Sequence, residues 1–234
     1  MDNKLSVIII TYNEEDNIKS AIKSARFAQE VIVVDSGSSD LTCSIAEKNG
    51  AKVYHQNWLG YGKQKNHAIK LTKNPWVFVL DADERITSLL QKEIRSILKM
   101  PMFDGYYVPR LNSFFGKYIR SCGLYPDFSV RLFNKTKARF SESPVHEKVK
   151  LKSNAGYLKN HLLHNAYHSV DEFVNKQKKY AHLSIKKRSY FKAILSPIWT
   201  FVKIFIIRYG FVDGWRGFVI AFTYARYTFW KYKK

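Results

Sequence analysis

The sequence predicts an α/β fold with a mostly parallel sheet, followed by a helical extension rich in basic and aromatic residues. Over residues 1–100, short apolar runs rich in Val and Ile alternate with helical patterns, which is typical of βαβ units. From residue 168 onward the alternation stops, and aromatic side chains interleave with Lys and Arg. We therefore predict a domain over residues 1–167 and an extension over residues 168–234.

Four strands are expected early in the chain, because four short runs rich in apolar residues are bounded by polar residues, and the first two, which are uncharged and β-branched, should be buried. These runs are Leu5–Ile10, Val31–Val34, Ala51–Tyr54 and Trp76–Leu80. A helix is predicted after each strand, the first from apolar residues on one face and the second from a loop that can cap it. The helices should begin near Glu14, near Leu41, near Gly60 and at Ser88.

Beyond residue 100 the pattern changes from regular alternation to isolated strands. Strands are predicted at Gly105–Leu111, Ser129–Phe133 and Val145–Val149. This region should belong to the same domain.

Polar residues follow the first, second and fourth strands, at the points where those strands end. They are Thr11–Glu14, Asp35 and Asp81–Asp83. In an open parallel sheet, ligands bind beyond the carboxyl ends of the strands. The sequence therefore predicts a pocket at this edge of the sheet.

Two carboxylates, Asp81 and Asp83, flank one small residue at the end of the fourth strand. Hard oxygen ligands suit Mg²⁺ or Mn²⁺, and the phosphate oxygens of a diphosphate can fill the remaining positions. The alternative is a solvated turn, since two carboxylates at this spacing are common. Their position directly after a hydrophobic strand favours the metal site.

The other strand-end segments have nucleotide-binding interpretations as well as structural ones. Asp35 can accept a hydrogen bond from a base or a ribose hydroxyl, or it can order the loop that caps the next helix. Glu14 can accept from ribose hydroxyls, or it can serve as a helix cap. Lys65 and Asn66, which follow a Gly-x-Gly, can meet a diphosphate or a base, or form a solvated helix face.

The combination of these segments is more specific than any one of them. In order they read SVIIITYNEE, VIVVDSGSSD, GYGKQKNHA and VFVLDADE. In this order and spacing, over roughly residues 5–150, the chain resembles the family 2 glycosyltransferases of the GT-A fold. The LDADE form, RLF at Arg131–Phe133 and VHE at Val145–Glu147 resemble the bacterial branch that builds lipopolysaccharide core, including its β-glucosyltransferases.

The resemblance implies a role for the residues at the ends of the first two strands. In the family the first segment binds the uridine end of the donor, and it matches Thr11, Tyr12, Asn13 and Glu14 here. Asp35 matches the acid that reads the nucleotide base.

The resemblance also implies roles further along the chain. Asn66 falls in the segment that borders the nucleotide, and Asp81 and Asp83 match the DxD, with Asp83 the expected metal ligand. The chain departs from the family at Lys65, which stands where an arginine is common. Lysine lacks the bidentate fork of arginine, so contact with the diphosphate by this segment is weakened.

Inverting transfer needs a carboxylate that takes the proton of the acceptor hydroxyl. Glu147 in VHE is the expected base, Asp127 in LYPDFSV is the rival, and Glu142 is a third candidate. His146 can orient Glu147, bind the metal or be a partly buried histidine. His161, His164 and His168 cluster in sequence, but their spacing fits no standard zinc site.

The charge of the chain points to a polyanionic partner. The net charge is +20, and residues 175–234 hold 14 Lys and Arg against the single acid Asp213. Aromatic and basic residues mixed in helices favour an anionic membrane surface. Nucleic acid is the alternative, but the sequence has no recognition motif, and so no nucleic-acid partner is expected. In a further alternative the aromatic residues pack on the catalytic domain.

The sequence predicts a cytoplasmic protein that associates peripherally with the inner face of the cytoplasmic membrane. Its N-terminus does not resemble a signal peptide. The uncharged run Ala193–Val202 is about half the length that a spanning helix needs. The two cysteines, Cys43 and Cys122, have no metal spacing and fit a reducing compartment.

These observations together predict a metal-dependent, inverting hexosyltransferase. The donor should be a nucleotide sugar, expected to be UDP-linked, and the acceptor a lipid-linked glycan such as lipopolysaccharide core. The alternatives are transfer to polyprenyl phosphate and a non-catalytic, membrane-bound protein that binds nucleotide sugars.

Overall fold

A computed structural model of the chain describes residues 3–141, 148–183 and 190–233. The helices are α1 Glu15–Ala25, α2 Thr42–Lys48, α3 Tyr61–Leu71, α4 Ser88–Lys99, α5 Val170–Leu183, α6 Tyr190–Val202 and α7 Trp215–Lys233. The strands are β1 Leu5–Thr11, β2 Glu30–Asp35, β3 Lys52–His55, β4 Trp76–Asp81, β5 Glu84–Ile86, β6 Gly105–Phe114, β7 Lys117–Tyr118, β8 Asp127–Asn134, β9 Ala138–Phe140, β10 Val149–Leu151, β11 Gly156–Tyr157 and β12 Leu162–Tyr167.

The chain divides into two compact units. The first contains Met1–Arg110 and Phe128–His164, and the second contains Leu111–Asp127 and Asn165–Lys234. The sequence predicts two domains that meet after residue 167, and this division into domains stays a prediction. The segment 111–127 joins the second unit through contacts that are distant in sequence, which a linear division of the chain does not capture.

The main sheet runs in the order β3-β2-β1-β4-β8-β6-β12-β5. The pairs β1–β2, β1–β4 and β2–β3 are parallel, and β8 pairs antiparallel with β4. The chain therefore moves outward from β1 to β3 and then returns to the other side of β1. This reversal lies between β1 and β4, and such switch points are where open α/β sheets hold their ligands.

Both faces of the central strands are covered, which is why these strands read as continuous apolar runs. On one face Val7, Ile9 and Phe78 lie in a cluster with Ile18 and Ile22 of α1. The opposite face has its own buried cluster, formed by Ile8, Ile32, Val34, Val77 and Val79 with Ala68 and Ile69 of α3. The predicted α/β fold is confirmed, and each of the four early strands lies within two residues of its predicted bounds.

Several short strands were not predicted. They are β5, β7, β9, β11 and β12. Most have two or three residues, which is too short to show an alternation of apolar and polar positions. The longest, β12, reads LLHNAY and has no such alternation. Its strand conformation depends on pairing with neighbouring strands more than on its own sequence pattern.

The second unit is built mainly from α5, α6 and α7. Its core contains Phe173 of α5 and Ile220 of α7, together with Phe114, Ile119 and Cys122. A π-helical turn over Lys203–Ile207 and a 3₁₀ turn over Gly210–Asp213 connect α6 with α7. The helical prediction from residue 168 onward is confirmed. Among the described residues, no helix is both long enough and apolar enough to cross a membrane.

We predict that Gly217→Ala destabilises the second unit by about 3 kcal/mol, because the added methyl group overpacks a rigid contact. Its Cβ would meet the carbonyl oxygen of Gly210, which is backbone and cannot rotate away. Urea unfolding measures the change.

Gly116→Ala is the matched control for this prediction. Gly116 has φ +78°, but no atom lies within 4 Å of its would-be Cβ, so only the cost of a left-handed backbone remains, about 1–2 kcal/mol. An equal loss for the two variants would contradict the close approach of α7 to the 3₁₀ turn.

Candidate active site

The pairing register of the sheet places three polar strand ends side by side. Thr11 lies opposite Asp35, and Ile10, one residue earlier, lies opposite Asp81. The carboxyl ends of β1, β2 and β4 therefore lie at one edge of the sheet, as predicted. This edge includes the switch point between β1 and β4.

The loops that follow β1 and β2 are joined by hydrogen bonds in both directions. The backbone N–H of Asn13 donates to Ser38 Oγ at 2.8 Å, and the Ser39 N–H donates to Asn13 Oδ1 at 2.9 Å. Asn13 has φ 52°, a conformation that Asn tolerates better than most residues. The two loops therefore form a shared, preorganised rim.

Asp35 is buried and orders the second of these loops. Its Oδ2 accepts from the N–H groups of Gly37 and Ser38, each at 2.8 Å, and its Oδ1 accepts from Ser38 Oγ. These bonds support the structural interpretation of Asp35. Its predicted role in reading the base stays a prediction.

Cys43 is the thiol nearest to this loop. Burial raises the pKa of the Cys43 thiol to about 11, and Asp35 adds to the increase. The thiol is therefore protonated at neutral pH and does not act as a thiolate nucleophile.

Thr11 carries an unsatisfied polar atom at the end of β1. Its hydroxyl oxygen is buried and has no hydrogen-bond partner within the described part of the chain. A buried hydroxyl without a partner is costly unless a water or a ligand satisfies it. The next residue, Tyr12, has 60% of its surface exposed. This strand end therefore combines a buried hydroxyl without a hydrogen-bond partner and an exposed aromatic ring that a ligand can contact.

An arginine of β8, the strand next to β4, bridges two carboxylates. Arg131 donates to Asp81 Oδ2 from both Nη atoms at 3.1 Å, and its Nη2 also donates to Glu84 Oε1 at 2.6 Å. Lys65 Nζ lies 3.5 Å from Asp81 Oδ1, and Arg110 Nη1 lies 3.6 Å from Glu84 Oε1. Two acids are thus held by three cations.

The two acids respond to this cluster in opposite directions. Desolvation alone would raise the pKa of Asp81, but Arg131 and Lys65 outweigh it and hold that pKa well below its usual range. Full burial raises the pKa of Glu84, and the neighbouring Asp81 raises it further against the opposing effect of Arg131. Asp81 is therefore a firmly ionised partner of the cations.

Asp83 is differently placed from Asp81. Its described polar partner is His164 of β12, whose Nε2 lies 3.1 Å from Asp83 Oδ2. A third of the Asp83 side chain is exposed. The Asp83 carboxylate also lies near Glu14, since burial raises the pKa of Glu14 and Asp83 adds to that increase. Asp83 thus retains oxygen positions that a ligand can use.

The donor set around Asp83 fits a metal held partly by substrate. Among the residues that the structure describes, no three His, Cys, Asp or Glu side chains converge on one point. A site with one carboxylate and one imidazole leaves most positions to phosphate oxygens and water, which is how Mg²⁺ is commonly bound.

Side chains of α3 form hydrogen bonds to residues that follow β2 and β3 and to β9. Asn66 Nδ2 donates to the Phe140 carbonyl oxygen at 3.0 Å, and Asn66 Oδ1 accepts from the Phe140 N–H at 2.9 Å. The fully buried Gln64 donates to Ser36 Oγ and to the Gln56 carbonyl oxygen. Asn66 therefore anchors β9, and its predicted place beside the nucleotide stays a prediction.

Of the residues proposed as the base or beside it, the structure describes Asp127. Glu147, Glu142 and His146 lie outside the described residues. Asp127 is the first residue of β8 and belongs to the second unit. The choice of base therefore remains the prediction made from the sequence.

The sequence of the first unit matches a family model. The description of that model is "Glycosyl transferase family 2", and the match covers residues 6–162, more than half of the chain. The chain belongs to glycosyl transferase family 2. The family predicted from the strand-end motifs is therefore confirmed.

Relatives of this family 2 chain match it along nearly its whole length. An uncharacterized glycosyltransferase of Rickettsia typhi is 38% identical over 96% of this chain and 84% of that protein. The lipopolysaccharide core biosynthesis glycosyltransferase LpsC of Rhizobium meliloti is 30% identical over 96% of this chain and 89% of its own length.

Solved structures share the fold of this family 2 chain. S. aureus TarS 1-349 superposes with a TM-score of 0.54 at 17% identity, over 95% of this chain and 90% of that one. Against the longer TarS chain, with a TM-score of 0.54, this chain covers 39% of the length. The GT-A-like α/β fold is confirmed by this likeness.

Four residues of the family 2 site were not assigned roles by the sequence reasoning. They are Gln64, Glu84, Arg110 and Arg131. Glu84 and Arg131 lie within LDADE and RLF, two segments that carry the resemblance to the family. A charged residue in the middle of an apolar strand, as in VRLF, was the available signal, because such a charge needs a buried partner.

We predict that Arg131→Met destabilises the protein by about 3–5 kcal/mol at pH 8, because it leaves two carboxylates without their bridging cation. The loss should shrink as the pH falls. Without Arg131 the depressed folded-state pKa of Asp81 rises, and that of Glu84, which burial already raises, rises further, so acidification neutralises these carboxylates and removes the penalty. In the wild type, the stability from the depressed Asp81 pKa is present above the unfolded pKa and is lost as the pH falls through the folded one.

Urea unfolding from pH 5 to pH 8 measures this difference. Arg139→Met, at an exposed arginine of β9, is the control and should cost little at any pH. A pH-independent difference between wild type and Arg131→Met would contradict the assigned bridge.

Proposed function

We propose that this family 2 protein is an inverting hexosyltransferase that uses a UDP-linked sugar and acts on a lipid-linked glycan such as lipopolysaccharide core. The observation that carries the proposal is the set of residues at the switch point between β1 and β4. There the orphan hydroxyl of Thr11, the ionised Asp81 and the accessible Asp83 lie at one edge of the sheet.

The donor side is supported by the rim between the first two loops. Thr11, Tyr12, Asn13 and Glu14 follow β1, and the buried Asp35 closes β2. We assign this rim to the uridine end of the donor. TarS 1-349, which shares the fold, was solved in complex with UDP-GlcNAc, and the proposal extends a uridine nucleotide to this chain.

Asp83 and His164 would hold a divalent cation, Mg²⁺ or Mn²⁺. When bound, such a cation stabilises negative charge on the departing diphosphate. Asp81 has a different task, since Arg131 and Lys65 already neutralise it. It positions Lys65 at the strand edge, from where that ammonium adds positive charge near the phosphates.

The acceptor hydroxyl must lose its proton as its oxygen attacks the anomeric carbon from the face opposite the leaving group. A carboxylate serves as the base for that proton, and a single displacement inverts the configuration. We assign this role to Glu147, with Asp127 as the alternative. Asn66 contributes indirectly, because it anchors Phe140 beside α3.

The acceptor is proposed from the relatives and from charge. LpsC of Rhizobium meliloti is named for lipopolysaccharide core biosynthesis. The chain has a net charge of +20, and lipid-linked glycans of that class lie at an anionic membrane surface. We therefore propose peripheral association with the inner face of the cytoplasmic membrane.

Isothermal titration of the full chain with UDP tests the donor proposal. UDP should bind, Mn²⁺ should tighten the binding, and EDTA should reverse that gain, whereas ADP should bind more weakly. A panel of UDP-sugars scored for hydrolysis then identifies the hexose. Absence of UDP binding with and without Mn²⁺ would overturn the proposal, whereas binding without turnover of any sugar would favour a non-catalytic nucleotide-sugar-binding protein.

We predict that Asp83→Asn lowers metal-dependent turnover of the UDP-sugar by about 100-fold or more, since a metal contributes several kcal/mol of charge stabilisation. The melting temperature should change little, because the side chain is partly exposed and keeps its shape. Asp16→Asn, at an exposed aspartate in the first turn of α1, is the control. Near wild-type turnover in Asp83→Asn would remove the metal assignment.

We predict that Glu147→Gln keeps UDP affinity but lowers transfer by about 10²–10⁴-fold, the usual contribution of a general base. Asp127→Asn, measured in parallel for UDP binding and for transfer, is the comparison. If Glu147→Gln transfers normally and Asp127→Asn does not, the base is Asp127.

A further inference from the structure

A stripe of exposed apolar side chains runs along α6. Its members are Phe191, Ile194, Leu195, Ile198 and Trp199, which follow the spacing of one helix face. Each has about half or more of its surface exposed, up to 75% for Phe191. Isolated exposed apolar residues are ordinary, but a continuous stripe of this length marks an interaction surface.

The turns between α6 and α7 add to the exposed apolar surface of the same unit. Their exposed residues are Ile206, Ile207, Tyr209, Phe211 and Val212. Tyr209 has φ 56°, a left-handed conformation that is uncommon for a bulky residue and often marks a functional turn. This connection therefore presents aliphatic and aromatic side chains together at one end of the α6–α7 hairpin.

A cavity of about 600 Å³ opens beside this connection, within the second unit. One wall comes from residues 118–123, which include Tyr118 and Arg120. The other wall comes from residues 207–213, which include Arg208 and Tyr209. Cations, phenol groups and the apolar Ile207 therefore line the same cavity.

The charges in this cavity are not balanced internally. Its one acid, Asp213, is already paired with Lys117 at 2.9 Å and accepts a hydrogen bond from Ser121 Oγ. Arg120 lies over the ring of Tyr125 at 4.9 Å, and neither Arg120 nor Arg208 has an ion-pair partner among the described residues. The cavity thus presents two cations to an incoming anion.

We propose that this cavity binds the phosphate headgroup of an anionic membrane lipid, while the α6 stripe and the α6–α7 connection insert into the adjacent acyl region. Arginine guanidinium groups suit phosphate oxygens, and tyrosines suit the boundary between headgroups and acyl chains. The inference rests on the proposed membrane-bound acceptor, because it states how the protein reaches that membrane.

A lipid surface fits this site better than a second copy of the chain does. In a symmetric dimer the same patch meets itself, so arginines would face arginines. Over residues 175–234 the only acid is Asp213, which is already paired, so the patch has no carboxylate to offer its copy. Nucleic acid fits poorly as well, since Ile, Leu and Val side chains cannot stack on bases.

Liposome flotation of the full chain tests the proposal. The vesicles contain phosphatidylcholine alone or phosphatidylcholine mixed with phosphatidylglycerol, and no nucleotide is present. The wild type should bind the anionic vesicles tightly and the neutral ones weakly. High salt should loosen the former without full release, because salt screens the cations but not the inserted apolar side chains.

Two variants separate the parts of the site. Arg120→Gln with Arg208→Gln should weaken binding to anionic vesicles about 10-fold or more and leave binding to neutral vesicles unchanged. Ile194→Ser with Ile198→Ser should weaken binding to both kinds of vesicle. Arg26→Gln with Arg95→Gln, two exposed arginines of the first unit, removes the same charge and should bind like the wild type.

The proposal is overturned if the wild type ignores both vesicles, if the two arginine pairs have equal effects, or if sedimentation shows a dimer that the Ile194→Ser and Ile198→Ser changes dissolve. Circular dichroism melting confirms that each variant is folded. UDP binding, measured separately by calorimetry, reports on the donor site. A failed flotation with intact UDP binding therefore rejects the lipid site alone, and the reverse result rejects the donor assignment alone.

Discussion

The bridge from Arg131 to Asp81 and Glu84 is the interaction on which the edge of the sheet depends. The guanidinium of Arg131, on the strand next to β4, is almost fully buried and holds two carboxylates at once. Burying these charges separately would cost several kcal/mol each, and together they satisfy one another. The bridge fixes the end of β4 and the turn into β5, from which Asp83 projects.

This arrangement divides the work between the two acids of the DxD. Asp81 is committed to cations of the protein, whereas Asp83 meets His164 and remains accessible. A carboxylate already shared by an arginine and a lysine is a weak ligand for a further cation, and one with free oxygen positions is a good one. The two aspartates are only two residues apart in sequence, but they lie in different chemical environments.

The second unit shows a similar separation between its core and its surface. Phe173 and Ile220 are buried, while the stripe on α6 faces outward. Both sets of residues are aromatic or aliphatic, so composition does not separate them. Only the contacts among α5, α6 and α7 determine which side chains are buried and which remain exposed.

The sequence by itself determined the α/β fold, the four early strands and the family, because the buried strands β1, β2 and β4 must be apolar and the strand-end motifs keep a fixed order. It did not reveal β12, which places His164 beside Asp83, nor the pairing of Arg131 with Glu84. Those contacts join residues about 50 to 80 positions apart. They follow from strand pairing and from the need of buried charges to find partners, which only the tertiary structure decides.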